Sequence, residues 1–152
     1  MSWTLNGKPV TCFEDFNEPK ALGFVYLITN TTNGRKYIGK KLLTFASTKQ
    51  VKGKKKRIRV ASDWMIYYGS SDEVKADVAL FGEESFTREI LHVCLTKGET
   101  NYLELREQMD RRVLETNEYY NGQVQARIHK GHLGRLKPPA PAAVDQSSLD
   151  PK

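Results

Sequence analysis

Two tyrosines, Tyr26 and Tyr37, stand in short β-rich runs on either side of a turn-forming stretch, with ten positions between them. Residues 23–29 are an apolar run of strand length, 30–34 supply turn chemistry ending in Asn33-Gly34, and 35–39 return as a second short strand. An antiparallel hairpin of this kind aims both phenolic oxygens at one point. A phenol with an intrinsic pKa near ~10 is a poor base at neutral pH. Work as a base would need a cation close by, and Lys36, Lys40 or Lys41 can supply one. The same tyrosines also suit a purely structural place in a strand core, where aromatics are enriched.

A helix is predicted over 99–116, with Tyr102, Leu105, Met109 and Val113 as its apolar stripe. Glu107 falls beside the edge marked by Leu103 and Leu114, a position that can line a cleft, and Glu104 can support it or stand in for it. A solvated helix glutamate is the plainer alternative for either. The net charge is +6, and its distribution says more than its size. Residues 36–59 hold ten basic side chains and no acidic one, whereas 72–118 hold twelve acidic and six basic. Such asymmetry suits a polyanion met by one surface, or else a solvated lysine loop. Lys36, Lys40, Lys49, Lys52, Lys54, Lys55 and Lys56, with Arg127, Lys130, Arg135 and Lys137 further on, are the candidate phosphate contacts. His129 and His132 have His-x-x-His spacing but no cysteine partner, and read as part of a basic tail rather than a zinc site. Cys12 and Cys94 match neither a metal spacing nor a disulfide framework, and read as free thiols of a reducing cytoplasm.

Behind these residues, 39% hydrophobic and 28% charged side chains are enough for one globular domain plus some tail. No apolar run is long enough to span a membrane, and the first residues lack the apolar stretch of a secretory signal. Residues 51–59 read as an exposed basic loop. Ser70 and Glu73 have capping-box spacing ahead of Val74, Val78 and Phe81, with Gly82 where a helix would stop. Residues 86–94 are predicted as a third strand, 119–128 as a last strand or ordered tail, and 137–152 as disordered. The order β-β-α-β-α gives an α/β (α+β) fold: a small, mostly antiparallel three-stranded sheet flanked by helices.

Phe24-Val25-Tyr26 followed by Tyr37-Ile38-Gly39-Lys40 resembles the GIY-YIG nuclease signature, with Phe24 and Val25 where that family usually has Gly and Ile. Tyr67-Tyr68-Gly69-Ser70-Ser71, the run 80–86, Arg88-Glu89-Ile90-Leu91, Leu105-Arg106-Glu107 and Asn121 are similar to the phage and homing-endonuclease branch. The resemblance implies a nuclease domain over 23–122, preceded by an N-terminal extension 1–22 and followed by a basic extension 123–136 and the tail 137–152.

It also implies a DNA endonuclease, nicking or cutting both strands, in which Tyr26 and Tyr37 orient the attacking water. Glu107 would hold one divalent cation, Mg²⁺ or Mn²⁺ in its place, with phosphate and water as further oxygen ligands. Asn121 would support the site through hydrogen bonds, unless Asn121-Gly122 is simply a tight turn. The family's arginine soon after Tyr-Ile-Gly has no counterpart here, so Arg57, Arg59 or Lys41 would hold the scissile phosphate. No recognition module is visible, so the chain would be weakly specific or would take its specificity from a partner protein; the branch also implies a bacterial or phage-infected cell. Two rival readings stay open: a nuclease-derived module that binds DNA without cutting it, and an RNA-binding domain.

Overall fold

The computed structural model describes residues 2–136, so the expected disordered stretch 137–152 lies outside the described residues. In chain order its strands are β1 (Trp3–Leu5), β2 (Lys8–Val10), β3 (Gly23–Asn30), β4 (Lys36–Leu42), β5 (Thr44–Val51), β6 (Lys54–Ala61) and β7 (Phe86–Cys94). Its α-helices are α1 (Asp72–Phe81) and α2 (Lys97–Asp110). Five strands make one sheet in the order β2-β1-β7-β3-β4, and β5 and β6 form a separate ribbon.

β3 lies between β7 and the edge strand β4, antiparallel to both. Its run is apolar at nearly every position because both faces are covered. Phe24, Tyr26 and Ile28 pack with Trp3, Phe86, Ile90 and Val74, while Val25 and Leu27 pack with Ile38, Leu103, Val113 and Cys94 on the α2 side. The expected β3–β4 hairpin is present, but Asn33-Gly34 is not a two-residue turn. The Asn30 N–H donates to Arg35 O and the Gly34 N–H to Asn30 O, both at 2.8 Å, closing a longer loop.

The sheet is larger than the expected three strands because residues before Gly23 join it. β1 lies parallel to β7 and pairs with β2, and Trp3 is 1% exposed with its indole N–H donated to Trp64 O at 2.7 Å. The run 51–59, expected as a loop, is instead strand and turn. β5 and β6 pair from Thr44↔Ala61 to Val51↔Lys54. Their turn is Lys52-Gly53, with φ of 50° and 76°, the paired left-handed conformation of a tight two-residue hairpin.

The helix caps also differ from the expected ones. Ser71, not Ser70, accepts the α1 cap bond from Val74 N, and Glu73 turns outward to Arg35 at 2.6 Å. Ser70 is thereby left for the tyrosine face. α2 begins with Thr96 accepting from Glu99 N and stops at Asp110, where the chain turns and Arg112 adopts φ 52°. Its buried line runs through Thr100, Leu103 and Gln108, whereas Met109 of the expected stripe is exposed. Residues 119–128 form no strand; Tyr119 makes a single bridge to Lys36 at the outer edge of β4.

Candidate active site

β4 is an edge strand, and the candidate site lies along that edge. Tyr26 faces Gly39 across the β3–β4 ladder. A Cβ at Gly39 would lie 2.5 Å from Tyr26 Cζ and 2.9 Å from Tyr37 Cε2, so only glycine lets the Tyr26 ring cross the strand. The Tyr26 ring stands 6.2 Å from that of Tyr37 and 6.1 Å from that of Tyr67. Burial pushes the Tyr26 phenol well above its ordinary pKa, and the neighbouring Tyr67 and Tyr37 push the same way. Tyr37 is raised too, again by burial, with its 3.1 Å hydrogen bond to Ser70 Oγ acting in the opposite sense. Both phenols are therefore neutral hydrogen-bonding groups around pH 7 rather than ready bases.

Glu104 reaches the same place from α2. It lines a cleft of about 320 Å³ together with Tyr37, Ser70, Gln108 and Asn121. Its side chain is 15% exposed, and its nearest cation is Lys40 at 3.6 Å. Burial raises the Glu104 carboxyl, and Lys40 offsets this only in part. Asn121 closes the strand edge: its Oδ1 accepts from Ile38 N at 3.0 Å, and its Nδ2 donates to Ile38 O at 2.8 Å. This two-way pairing with the backbone is a supporting role, and neither Asn121 nor Gly122 has the positive φ of the alternative tight turn. Gln108 adds a longer bond to the same Ile38 carbonyl.

Glu107, expected at the cleft, is engaged elsewhere. Its two carboxylate oxygens meet His92 of β7 at 2.7 Å and Arg111 at 2.9 Å. Burial alone would raise its pKa, but the Arg111 and His92 hydrogen bonds reverse the balance and hold it below the usual carboxylate value. Helical spacing put Glu104 and Glu107 near one another but did not say which strand lies under each: β4 under Glu104, β7 under Glu107.

Among the three basic candidates for the phosphate, Lys41 is nearest to the tyrosines. Its ammonium lies 3.9 Å over the Tyr67 ring and 2.6 Å from Asp63. Arg59 is on the ribbon and donates to Thr44 Oγ1 and O, and Arg57 is exposed there. Lys49, Lys52, Lys54, Lys55 and Lys56 share that ribbon and its turn, all exposed. Lys36 lies 5.9 Å over the Tyr119 ring, Lys40 meets Asn101 as well as Glu104, and Arg127 borders the adjoining shallow depression beside Lys40. Arg135 is spent on the buried Glu99 at 2.9 Å and on Val93 O, while Lys130 is exposed. The His129 and His132 rings stack 3.8 Å apart, and among the described residues no three His, Cys, Asp or Glu side chains gather as a metal cluster. A cation at the cleft would thus have one protein carboxylate, Glu104. Both cysteines are free, and burial pushes the Cys94 thiol up to about 11.

Tyr67, Ser70 and Gln108 were not among the expected site residues. The Tyr-Tyr-Gly-Ser-Ser run was the available signal. Gly69, at φ 94°, lets that run turn against Tyr37 and Tyr26, and Arg88 props it by donating to Met65 O and Tyr67 O.

Two neighbouring tyrosines on a hairpin, a glycine under one of them and a helix carboxylate thus meet at the edge of β4. Residues 3–124 match the family described as putative endonuclease segE, GIY-YIG domain. The match spans most of the chain, which therefore belongs to the GIY-YIG endonuclease family. Comparison with curated proteins and with solved structures returned no match. Among the described residues no helix is long and apolar enough to cross a membrane.

Proposed function

We propose that the chain is a divalent-cation-dependent DNA endonuclease whose hydrolytic centre is the cleft between Tyr37 and Glu104. The carrying observation is Glu104 itself, a largely buried carboxylate with one lysine 3.6 Å away, lining an open cleft together with Tyr37. Such an under-neutralised carboxylate suits a hard cation that takes its other ligands from substrate phosphate and water. Mg²⁺ fits, and Mn²⁺ in its place; when bound, the ion would supply positive charge to the phosphate and the leaving oxygen.

The chain's own side chains do the rest. Tyr37, hydrogen-bonded to Ser70 and open to the cleft, holds and orients the attacking water. Tyr26, locked over Gly39, fixes the position of Tyr37 and Tyr67. Lys41 flanks the tyrosine face and holds the phosphate as a point charge, in the place where the family uses an arginine. Asn121 keeps the β4 edge straight beneath the cleft. A neutral phenol suits water orientation better than proton abstraction, given that burial raises both tyrosines.

A second reading, a module that binds DNA without cutting it, is favoured by one observation: among the described residues no arginine lines the cleft. Supercoiled plasmid separates the two. Wild type with Mg²⁺ is expected to give nicked or linear product, EDTA to abolish it, and Tyr37→Phe to slow it by roughly two orders of magnitude at unchanged DNA affinity. Tight plasmid binding with no product under Mg²⁺ or Mn²⁺ would favour the binding module instead.

A further inference from the structure

We infer that the β5–β6 ribbon is this protein's own DNA-reading arm, seated in the major groove of the duplex beside the scissile phosphate. This deepens the endonuclease reading and rests on it. It also removes the need for a separate partner to provide specificity.

The ribbon is a separate two-stranded sheet, and eight residue pairs run from its root to the Lys52-Gly53 turn. At about 3.4 Å per residue it is ~27 Å long, and a two-stranded ribbon is the right size for a major groove about 12 Å wide. Directly paired residues share a face, so the two faces can be read from the register. One face carries Thr44/Ala61, Ala46/Arg59, Thr48/Arg57 and Gln50/Lys55. The other carries Phe45/Val60, Ser47/Ile58, Lys49/Lys56 and Val51/Lys54.

The faces differ in chemistry and in access. On the first, every residue but Thr44 at the root is exposed, and Arg, Gln and Thr are the side chains that hydrogen-bond base edges. On the second, Ser47, Ile58 and Val60 are half-buried towards the root. The first face is therefore the one assigned to the groove. Arg59 is already oriented there by its bonds to Thr44, which leaves Arg57, Lys55 and Gln50 to reach outward. No acidic residue lies between 36 and 59, and among the described residues the ribbon's lysines and arginines form no ion pair.

The root is fixed against the site. Leu43, 1% exposed, donates its N–H to Leu22 O, Ser62 N–H donates to Leu43 O, and the Ser62 hydroxyl bonds Leu42 O. The flanking residues are Lys41 and Asp63, the ion pair over Tyr67. The arm therefore leaves the body where the tyrosines stand, and its length sets how far from the cut the DNA is read. At ~3.4 Å per base pair, that reach is up to about eight base pairs on one side.

The test compares two double variants that remove equal charge from opposite faces, Lys55→Ala/Arg57→Ala and Lys49→Ala/Lys56→Ala. Binding to labelled duplex DNA is measured in EDTA by anisotropy and hydroxyl-radical footprinting, with Mg²⁺ cleavage of the same duplex run alongside. Circular dichroism and thermal melting should match wild type for both variants, since all four side chains are exposed. Lys55→Ala/Arg57→Ala is expected to weaken binding about tenfold or more, flatten the salt slope by about two units, and erase the footprint on one flank of the cut. Lys49→Ala/Lys56→Ala should keep that flank. Equal losses from the two pairs would overturn the face assignment. If wild type cuts while Lys55→Ala/Arg57→Ala binds and footprints like it, the arm is overturned and the endonuclease reading stands. Competition by duplex RNA as strong as by duplex DNA would overturn the groove assignment, because the A-form major groove is too deep and narrow for side chains. A wild type that neither binds nor cuts duplex DNA would remove the endonuclease reading and the arm together.

Discussion

Tyr26 has no room of its own: its ring occupies the space that a side chain on Gly39 would take. Gly39→Ala places a methyl 2.5 Å from Tyr26 Cζ, and either the ring or the strand must shift. A loss of about 1–3 kcal/mol is expected from such overpacking, with cleavage falling further than stability alone explains because Tyr37 and Tyr67 take their positions from Tyr26. Thermal melting beside plasmid nicking checks this; a variant with wild-type Tm and wild-type nicking would contradict it. At this scale the sequence was informative about the tyrosine pair, since hairpin strands with period two make opposed positions readable. It was less so about the carboxylate. Glu104 and Glu107 are one helical turn apart, and the spacing that puts them on one flank is silent about whether β4 or β7 lies beneath. The site contribution of Ser70 was hidden for a related reason: Ser70 and Ser71 are both good helix caps, and only the observed cap at Ser71 frees Ser70 for Tyr37.

At the scale of elements, the exposed edge of β4 is a hazard that the chain covers with side chains and a short return segment. Lys36 exchanges backbone bonds with the segment at Glu118 and Tyr120, and Asn121 takes over at Ile38. Asn121→Ala would leave the Ile38 N–H and most of its carbonyl bonding capacity unmet, a cost of about 1–3 kcal/mol. Amide exchange at Ile38 should accelerate by more than at Leu27, which pairs in the sheet interior; equal protection in variant and wild type would rule out the edge-closing role. The hairpin of β3 and β4 was legible because β3 is buried on both faces and writes an apolar run. The ribbon of β5 and β6 was not, because no face of it is buried in the main core. Only Arg57-Ile58-Arg59-Val60 alternates, on a half-buried face too short to set a period, and seven lysines and arginines between 49 and 59 look like a solvated loop. Val51-Lys52-Gly53-Lys54 did contain the turn, but Lys at a left-handed position is an uncommon signal. The first hairpin was missed differently: Trp3, Leu5 and Val10 are too few to show a period, and their burial depends on β7, more than seventy residues away in sequence.

At the scale of the whole molecule, two properties meet at one edge of the sheet. The cationic ribbon leaves the body beside Lys41, and the acidic helix α2 brings Glu104 to the neighbouring side of the cleft. On the proposed reading, a polyanion drawn to the ribbon would reach the cleft where Glu104 could take a cation with it. Glu107, by contrast, ties α2 to β7 through His92 and is held by Arg111 on its own helix. The proposed mechanism divides the labour between two glutamates three residues apart. Plasmid cleavage with Mg²⁺ by Glu104→Ala and Glu107→Ala, each checked for folding by thermal melting, tests that division. Glu104→Ala is expected to fold, bind DNA and lose cutting by roughly two to three orders of magnitude, while Glu107→Ala should melt earlier by ~1–2 kcal/mol of stability and still cut at temperatures where it is folded. Cutting retained by Glu104→Ala and abolished in folded Glu107→Ala would contradict it, and would move the cation to Glu107.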